Sequence, residues 1–173
     1  FPFLAAAWKA APALAAGCSV VLKPSPLTPV STLALAEITR KAGLPDGAFN
    51  VVVGGNETGA ALVSSDVDKL SFTGSTSVGA QIYATAASRL KRVALELGGK
   101  SANLIFADAD IERAARGAAS LAFGNSGQSC SARTRILVQR PALDAFLDAF
   151  RKHAAALVVD DPSLETTDIG PLV

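Results

Sequence analysis

Along the chain, short apolar runs rich in β-branched residues alternate with alanine-rich stretches of helical period. Strands buried on both faces read as continuous apolar runs, so this alternation predicts an α/β architecture, an open and mostly parallel sheet with flanking helices. Residues 4–16 read as a helix ended by Gly17, and 19–23 as a buried strand stopped by Pro24 and Pro26. A helix over 31–42, with Gly43 placed to cap it, precedes a strand at 49–53 and the turn Gly54-Gly55. A short helix at 58–63 then leads to a strand at 69–72, a glycine loop, and a helix through Ala87. Further strands are predicted at 92–97, 103–106 and 134–139. Asp108 or Asp110 should cap a helix over 111–123, and Pro141 should open another whose apolar positions Leu143, Phe146, Leu147 and Phe150 share one face. The expected division of the chain is 1–97 and 98–173, at Gly98-Gly99.

Composition narrows the class. Half of the 173 residues are hydrophobic, enough for a sizeable interior. Sixteen basic residues nearly balance fifteen acidic ones, and none cluster with aromatics, so nucleic acid is not an expected partner. The longest uncharged apolar stretch, 10–22, falls short of the roughly 20 residues a membrane crossing needs, and Pro12 and Gly17 interrupt it. Membrane association is therefore not expected. Cys18 and Cys130 lack the paired spacing of a disulfide framework or a zinc site, so no metal and a reducing, cytoplasmic setting are expected. The chain opens on Phe1-Pro2-Phe3 without methionine, which predicts an internal piece of a longer protein.

Several residues could carry chemistry. Gly74, Ser75, Thr76, Ser77, Val78 and Gly79 form a strand-to-helix turn, where backbone amides and a helix dipole can receive a phosphate. The spacing is not G-x-G-x-x-G, and a glycine pair at such a turn is often only a tight turn. Lys23 emerges at the end of a buried strand, where it could reach a ribose or phosphate or could simply surface. Glu96 closes an apolar strand just before two glycines, a place for a general base if desolvated and for a solvated strand end otherwise. Cys130 lies in a polar loop near Arg133 and Arg135, a setting that can hold a thiolate. Cys18 adjoins an apolar strand and reads as a packing residue. His153, the only histidine, reads as part of a solvated helix face beside Arg151 and Lys152.

Taken together, Trp8-Lys9, Val21-Leu22-Lys23-Pro24-Ser25, Ala42-Gly43-Leu44-Pro45, Phe72-Thr73-Gly74-Ser75-Thr76, Leu95-Glu96-Leu97-Gly98-Gly99-Lys100 and Gly127-Gln128-Ser129-Cys130 resemble the aldehyde dehydrogenase superfamily in order and interval. The resemblance covers practically the whole chain. It implies a Rossmann-like NAD(P)-binding portion over 1–97 and the start of an α/β catalytic domain over 98–173. It also implies an oxidoreductase in which Cys130 attacks an aldehyde to give a thiohemiacetal, hydride passes to NAD or NADP, and a thioester remains on the sulfur. By the same resemblance Glu96 activates the water that releases the acid, Ser75 donates to a phosphate, and Lys23 contacts the adenosine ribose. Leu97 matches a position beside the nicotinamide carboxamide, and Lys9 a lysine near the cofactor and the proton exit. The partners it implies are a small-molecule aldehyde and further copies of the parent enzyme, as a homodimer or homotetramer.

Two departures from the family pattern matter. Pro26 stands where many NAD-preferring members carry a glutamate that repels a 2′-phosphate, which predicts tolerance of or preference for NADP. The asparagine that helps form the family's oxyanion hole would fall just before Phe1, so turnover by the chain alone is expected to be impaired. Ser129 and Ser131 flank Cys130 and leave room for a bulky or aromatic aldehyde. Two other classes stay open: a silent nucleotide-binding module, against which both Cys130 and Glu96 argue, and thiol acyl transfer without hydride transfer.

Overall fold

A computed structural model of the chain describes residues 1–173, which divide into two compact units, Phe1–Glu96 and Leu97–Val173. In order, the first unit comprises α1 (Pro2–Ala15), β1 (Val20–Leu22), α2 (Val30–Lys41), β2 (Phe49–Val51), α3 (Asn56–Ser64), β3 (Lys69–Gly74), α4 (Thr76–Ala87) and most of β4 (Arg92–Leu97). The second comprises β5 (Ala102–Ile105), α5 (Ile111–Phe123), β6 (Arg135–Val138) and α6 (Leu143–Ala155), with 3-10 turns at Gly124–Gly127 and Arg140–Ala142. The chain is thus mixed α/β with short parallel pairings and flanking helices.

The strands pair two by two, β1 with β2, β3 with β4, and β5 with β6. The first and last pairs are parallel, with Val20 opposite Phe49 and Ala102 opposite Arg135. Parallel neighbours need a crossover, and α2 and α5 supply it. The bounds of β4 and α5 coincide with the sequence pattern, whereas β1, β2 and β6 are shorter than their apolar runs.

Local chemistry explains the helix ends. Pro2 sits in the first turn of α1, where its missing N–H costs nothing. Gly43, at φ +84°, ends α2: its N–H donates to Arg40 O at 3.1 Å while Leu44 N donates to Thr39 O at 3.2 Å, the paired bonds of a left-handed cap. The last carbonyls of α3 are met by cations from beyond α4. Lys91 Nζ donates to Val63 O at 3.1 Å and to Ser65 O, and Arg89 Nη1 to Ser64 O at 3.0 Å. Of the two candidate caps for α5, Asp110 is the one used, its Oδ1 accepting from Arg113 N at 3.0 Å.

The second unit has the clearer core. Ala115 and Ala118 of α5 are small enough for Phe146 of α6 to bury against them and Ile105, leaving Phe146 2 % exposed. Phe150 stacks on Phe146 at 5.7 Å and meets Phe123 at 6.2 Å. His153 corrects the sequence reading. Rather than lying free on a solvated face, it is partly buried and its Nε2 bonds Glu112 Oε1 at 2.8 Å, tying α6 to α5.

Candidate active site

Gly74 ends β3, where the tip of the Phe72 ring lies 2.4 Å from the place a Cβ would take, so a larger residue would have to displace that ring. The next residue, Ser75, is extended and caps α4, its Oγ accepting from Val78 N at 3.3 Å and lying 3.2 Å from Ser77 Oγ. Gly79 N closes the first helical bond on Ser75 O at 2.9 Å. The amides of Thr76 and Ser77 then belong to the first turn, which has no helical acceptors of its own. All of this loop except the buried Gly79 is exposed.

Lys23 sits where β1 emerges. Its ammonium donates to Pro24 O at 2.8 Å and to Gly54 O at 3.0 Å, which spans the carboxyl ends of β1 and β2 and leaves a third proton uncommitted. Gly59 on α3 gives the lysine its path, since a Cβ there would touch Lys23 Cε at 3.4 Å. An ammonium, a hydroxyl and first-turn amides at strand ends are the donors that a ribose and a pyrophosphate require, so the residues present fit a dinucleotide. The following loop, Pro24-Ser25-Pro26-Leu27-Thr28-Pro29, contains no carboxylate.

Glu96 is exposed on β4, with Leu97 the strand's last residue. It acts on Lys9 of α1. Burial pulls the Lys9 ammonium below the usual lysine range, and the Glu96 carboxylate opposes that pull. Lys9 Nζ also donates to Ser71 Oγ on β3 at 2.8 Å. Sequence reasoning missed Ser71, because nothing local distinguishes a serine on an exposed strand position from any other.

In the second unit, Cys130 is a free, exposed thiol in the turn that follows Gly124–Gly127. The approach to it is left-handed at three successive residues, Asn125 (φ 54°), Ser126 (φ 56°) and Gly127 (φ 71°). Asn125 Nδ2 donates to Gln128 O at 3.0 Å, and Ser129 Oγ lies 3.0 Å from Ser131 Oγ, the two residues that flank Cys130 in sequence. Arg133 and Arg135 are exposed nearby in sequence.

Cys18 departs from expectation. The left-handed Gly17 turns the chain out of α1, and Cys18 is exposed on a cleft of about 710 Å³ with Leu44 and Pro45 rather than packed. A second cleft, of about 240 Å³, runs along Leu104, Phe106 and Leu137 in the other unit. Neither cleft is lined by Lys9, Lys23, Glu96, Leu97, Cys130 or the turn from Gly74 to Gly79. There is no group of histidine, cysteine or carboxylate side chains that could hold a metal ion, and no helix is long and apolar enough to cross a membrane.

Comparison with known proteins adds a family. The model of the aldehyde dehydrogenase family matches residues 1–173. The chain is 50% identical to 4-trimethylaminobutyraldehyde dehydrogenase B of Danio rerio, an alignment covering all of this chain and 34% of that protein. It superposes on the crystal structure of gamma-glutamyl-gamma-aminobutyraldehyde dehydrogenase from Burkholderia cenocepacia J2315 with a TM-score of 0.94 at 47% identity, covering 98% of this chain and 35% of that one. PnpE of Pseudomonas sp. WBC-3, solved in complex with nicotinamide adenine dinucleotide, gives 0.94 at 45% identity over 99% of this chain and 36% of its own. The chain therefore spans about a third of the length of the relatives it matches.

Proposed function

Since the chain belongs to the aldehyde dehydrogenase family, we propose that it carries the nucleophile, the general base and the dinucleotide-binding loop of an enzyme that oxidises an aldehyde to a carboxylic acid. The observation that carries this reading is an exposed thiol on a tightly constrained turn in a chain that matches the family from end to end. Residues 1–97 serve as part of the cofactor-binding domain and 98–173 as part of the nucleophile-bearing domain. Gly74, Ser75, Thr76, Ser77, Val78 and Gly79 hold the pyrophosphate, Lys23 the adenosine ribose, and Leu97 the carboxamide end.

Cys130 works as a thiolate, adding to the carbonyl carbon while the carbonyl oxygen takes the negative charge. NAD(P)+, when bound, supplies the acceptor for the hydride that this adduct gives up. Glu96 then takes a proton from water as the water attacks the thioester carbonyl, the C–S bond breaks, and the acid leaves with Cys130 restored. An exposed Glu96 on a strand end has open access to solvent for returning that proton. Lys9, whose ammonium Glu96 already influences, sits beside that route.

The names of the relatives suggest where to look for a substrate. One acts on a trimethylamino aldehyde and another on an aminobutyraldehyde derivative, as their names state. In this chain Phe1, just before the first helix, and Phe3 and Trp8 on it are about half exposed, and aromatic faces of that kind attract a quaternary ammonium. We therefore propose a cationic aldehyde as substrate. Pro26, in a loop without a carboxylate, favours acceptance of NADP as well as NAD.

The test is absorbance at 340 nm on mixing 4-trimethylaminobutyraldehyde with NAD+ or NADP+ and the protein carrying this segment, with Cys130→Ala beside it. Reduced cofactor should form with the wild type and not with the variant. Equal signal from both would exclude the cysteine mechanism, and an overwhelming preference for NAD+ would exclude the reading of Pro26.

A further inference from the structure

The chain after α6 returns to the turn that carries Cys130. Val158 N donates to Asp168 Oδ2 at 2.9 Å, while Val158 O accepts from Asp168 N at 2.9 Å and from Ile169 N at 3.0 Å. Asp160 N donates to Ile169 O at 3.2 Å, and Val159 forms a parallel bridge with Ile169. These bonds close 158–169 into a loop pinned at its neck. Within it, Thr167 Oγ1 donates to Asp161 O at 2.6 Å and Ser163 N to Asp161 Oδ1 at 2.9 Å. Gly170 leaves the neck in a tight place, since a Cβ there would lie 3.3 Å from Pro162 Cβ.

From that position Gly170 O accepts a hydrogen bond from Ser126 Oγ at 3.1 Å, across 44 residues of sequence. Ser126 is the second of two successive non-glycine residues in the left-handed region, where a side chain costs energy and persists only when its surroundings hold it. Asn125 supplies one local tie through Gln128 O. The bond to Gly170 is the tie from outside, and Gln128 Oε1 adds another by accepting from Val173 N at 3.3 Å. Cys130 follows two residues after Gln128.

We propose that the pinned loop 158–170 is a brace for the nucleophile turn, with Ser126 and Asp168 as positioning residues for Cys130. The catalytic consequence rests on Cys130 being the nucleophile; the mechanical consequence does not. The chain is tested with Cys18→Ser as background, so that Cys130 is the sole thiol. Two readouts are taken: amide hydrogen exchange over 125–130, and the rate and half-saturation of Cys130 acylation by p-nitrophenyl acetate.

One hydrogen bond sets the scale, so Ser126→Ala should speed exchange in the turn by about three- to tenfold and leave α5 and α6 unchanged. Acylation should slow by a similar factor at unchanged half-saturation. Ser126→Gly relaxes the left-handed backbone but deletes the donor, and should behave like Ser126→Ala. Ser126→Asn keeps a donor on a side chain that tolerates the conformation, and should restore wild-type behaviour. Asp168→Ala should reproduce the loosening, while Asp168→Asn, which still accepts from Val158 N, should not. Unchanged exchange in both Ser126→Ala and Asp168→Ala overturns the brace. So does a Ser126→Gly chain as rigid as the wild type. Acylation that persists in Cys130→Ala removes the nucleophile reading instead, and leaves the exchange result to judge the brace.

Discussion

Lys9 and Glu96 show how a charge pair can be read at the scale of single residues. The carboxylate stabilises the ammonium form of a lysine that burial pulls the other way. Glu96→Gln removes that support, so the Lys9 midpoint should fall further below 10.5 in a ¹⁵N titration of Nζ. A midpoint that stays or rises would contradict the coupling. The linkage follows with its sign. Between the lowered folded value and 10.5 the unfolded chain binds more protons, so this group makes the fold more stable as pH rises through that window. Below the window both states are charged and the burial cost stands in full. Lys23, Glu96 and Cys130 were legible as candidates because each breaks a local pattern, and Lys9 only through the family resemblance. Ser71 and Ser126 were not, since their partners lie 62 and 44 residues away and only the fold brings them together.

Elements test the steric claims. A Cβ at Gly54 would lie 2.6 Å from Thr58 Cβ, an atom fixed to α3 that cannot swing aside. Gly54→Ala should therefore cost about 1–3 kcal/mol and lower the melting midpoint by several degrees. Gly99→Ala meets nothing within 4 Å and should leave the midpoint within a degree or so of wild type. Equal melting of the two would refute the packing argument. Asp110→Ala removes the cap of α5 and should cost about 1 kcal/mol by denaturant unfolding, with no loss expected if Arg113 N finds no bond there. Helices and strand positions were legible because apolar period and capping residues act within a few positions. The two-by-two pairing of the strands was not, because it depends on which edges meet. Cys18 and His153 were misread for a related reason, as neighbours in sequence say little about which side of a turn or helix is covered.

The whole chain carries more surface than its mass requires. It exposes 11459 Å², whereas two compact units of half this mass, not touching, would expose roughly 9,500 Å² by the usual scaling. Part of the excess is apolar: Leu104 and Leu137, on the face of β5 and β6 away from Phe146, are 58 and 50 % exposed, and Phe106, just past the end of β5, is 60 % exposed. Parallel strands are ordinarily covered on both faces. The 17.6 kDa chain should therefore self-associate at tens of micromolar, and Leu104→Lys with Leu137→Thr should weaken that. Sedimentation equilibrium decides it, and a single ideal monomer across that range would contradict the expectation.

The central claim is that Cys130 is the nucleophile and Glu96 the base that clears it, and acyl trapping tests it most directly. The chain is mixed with p-nitrophenyl acetate, quenched in acid at intervals, and mapped by peptide mass spectrometry. Cys18 is an internal control, being also free and exposed. The account predicts an acetyl thioester on Cys130 ahead of Cys18, and a longer-lived thioester in Glu96→Gln than in the wild type. Equal labelling of the two cysteines, or a thioester whose lifetime ignores Glu96, would contradict it.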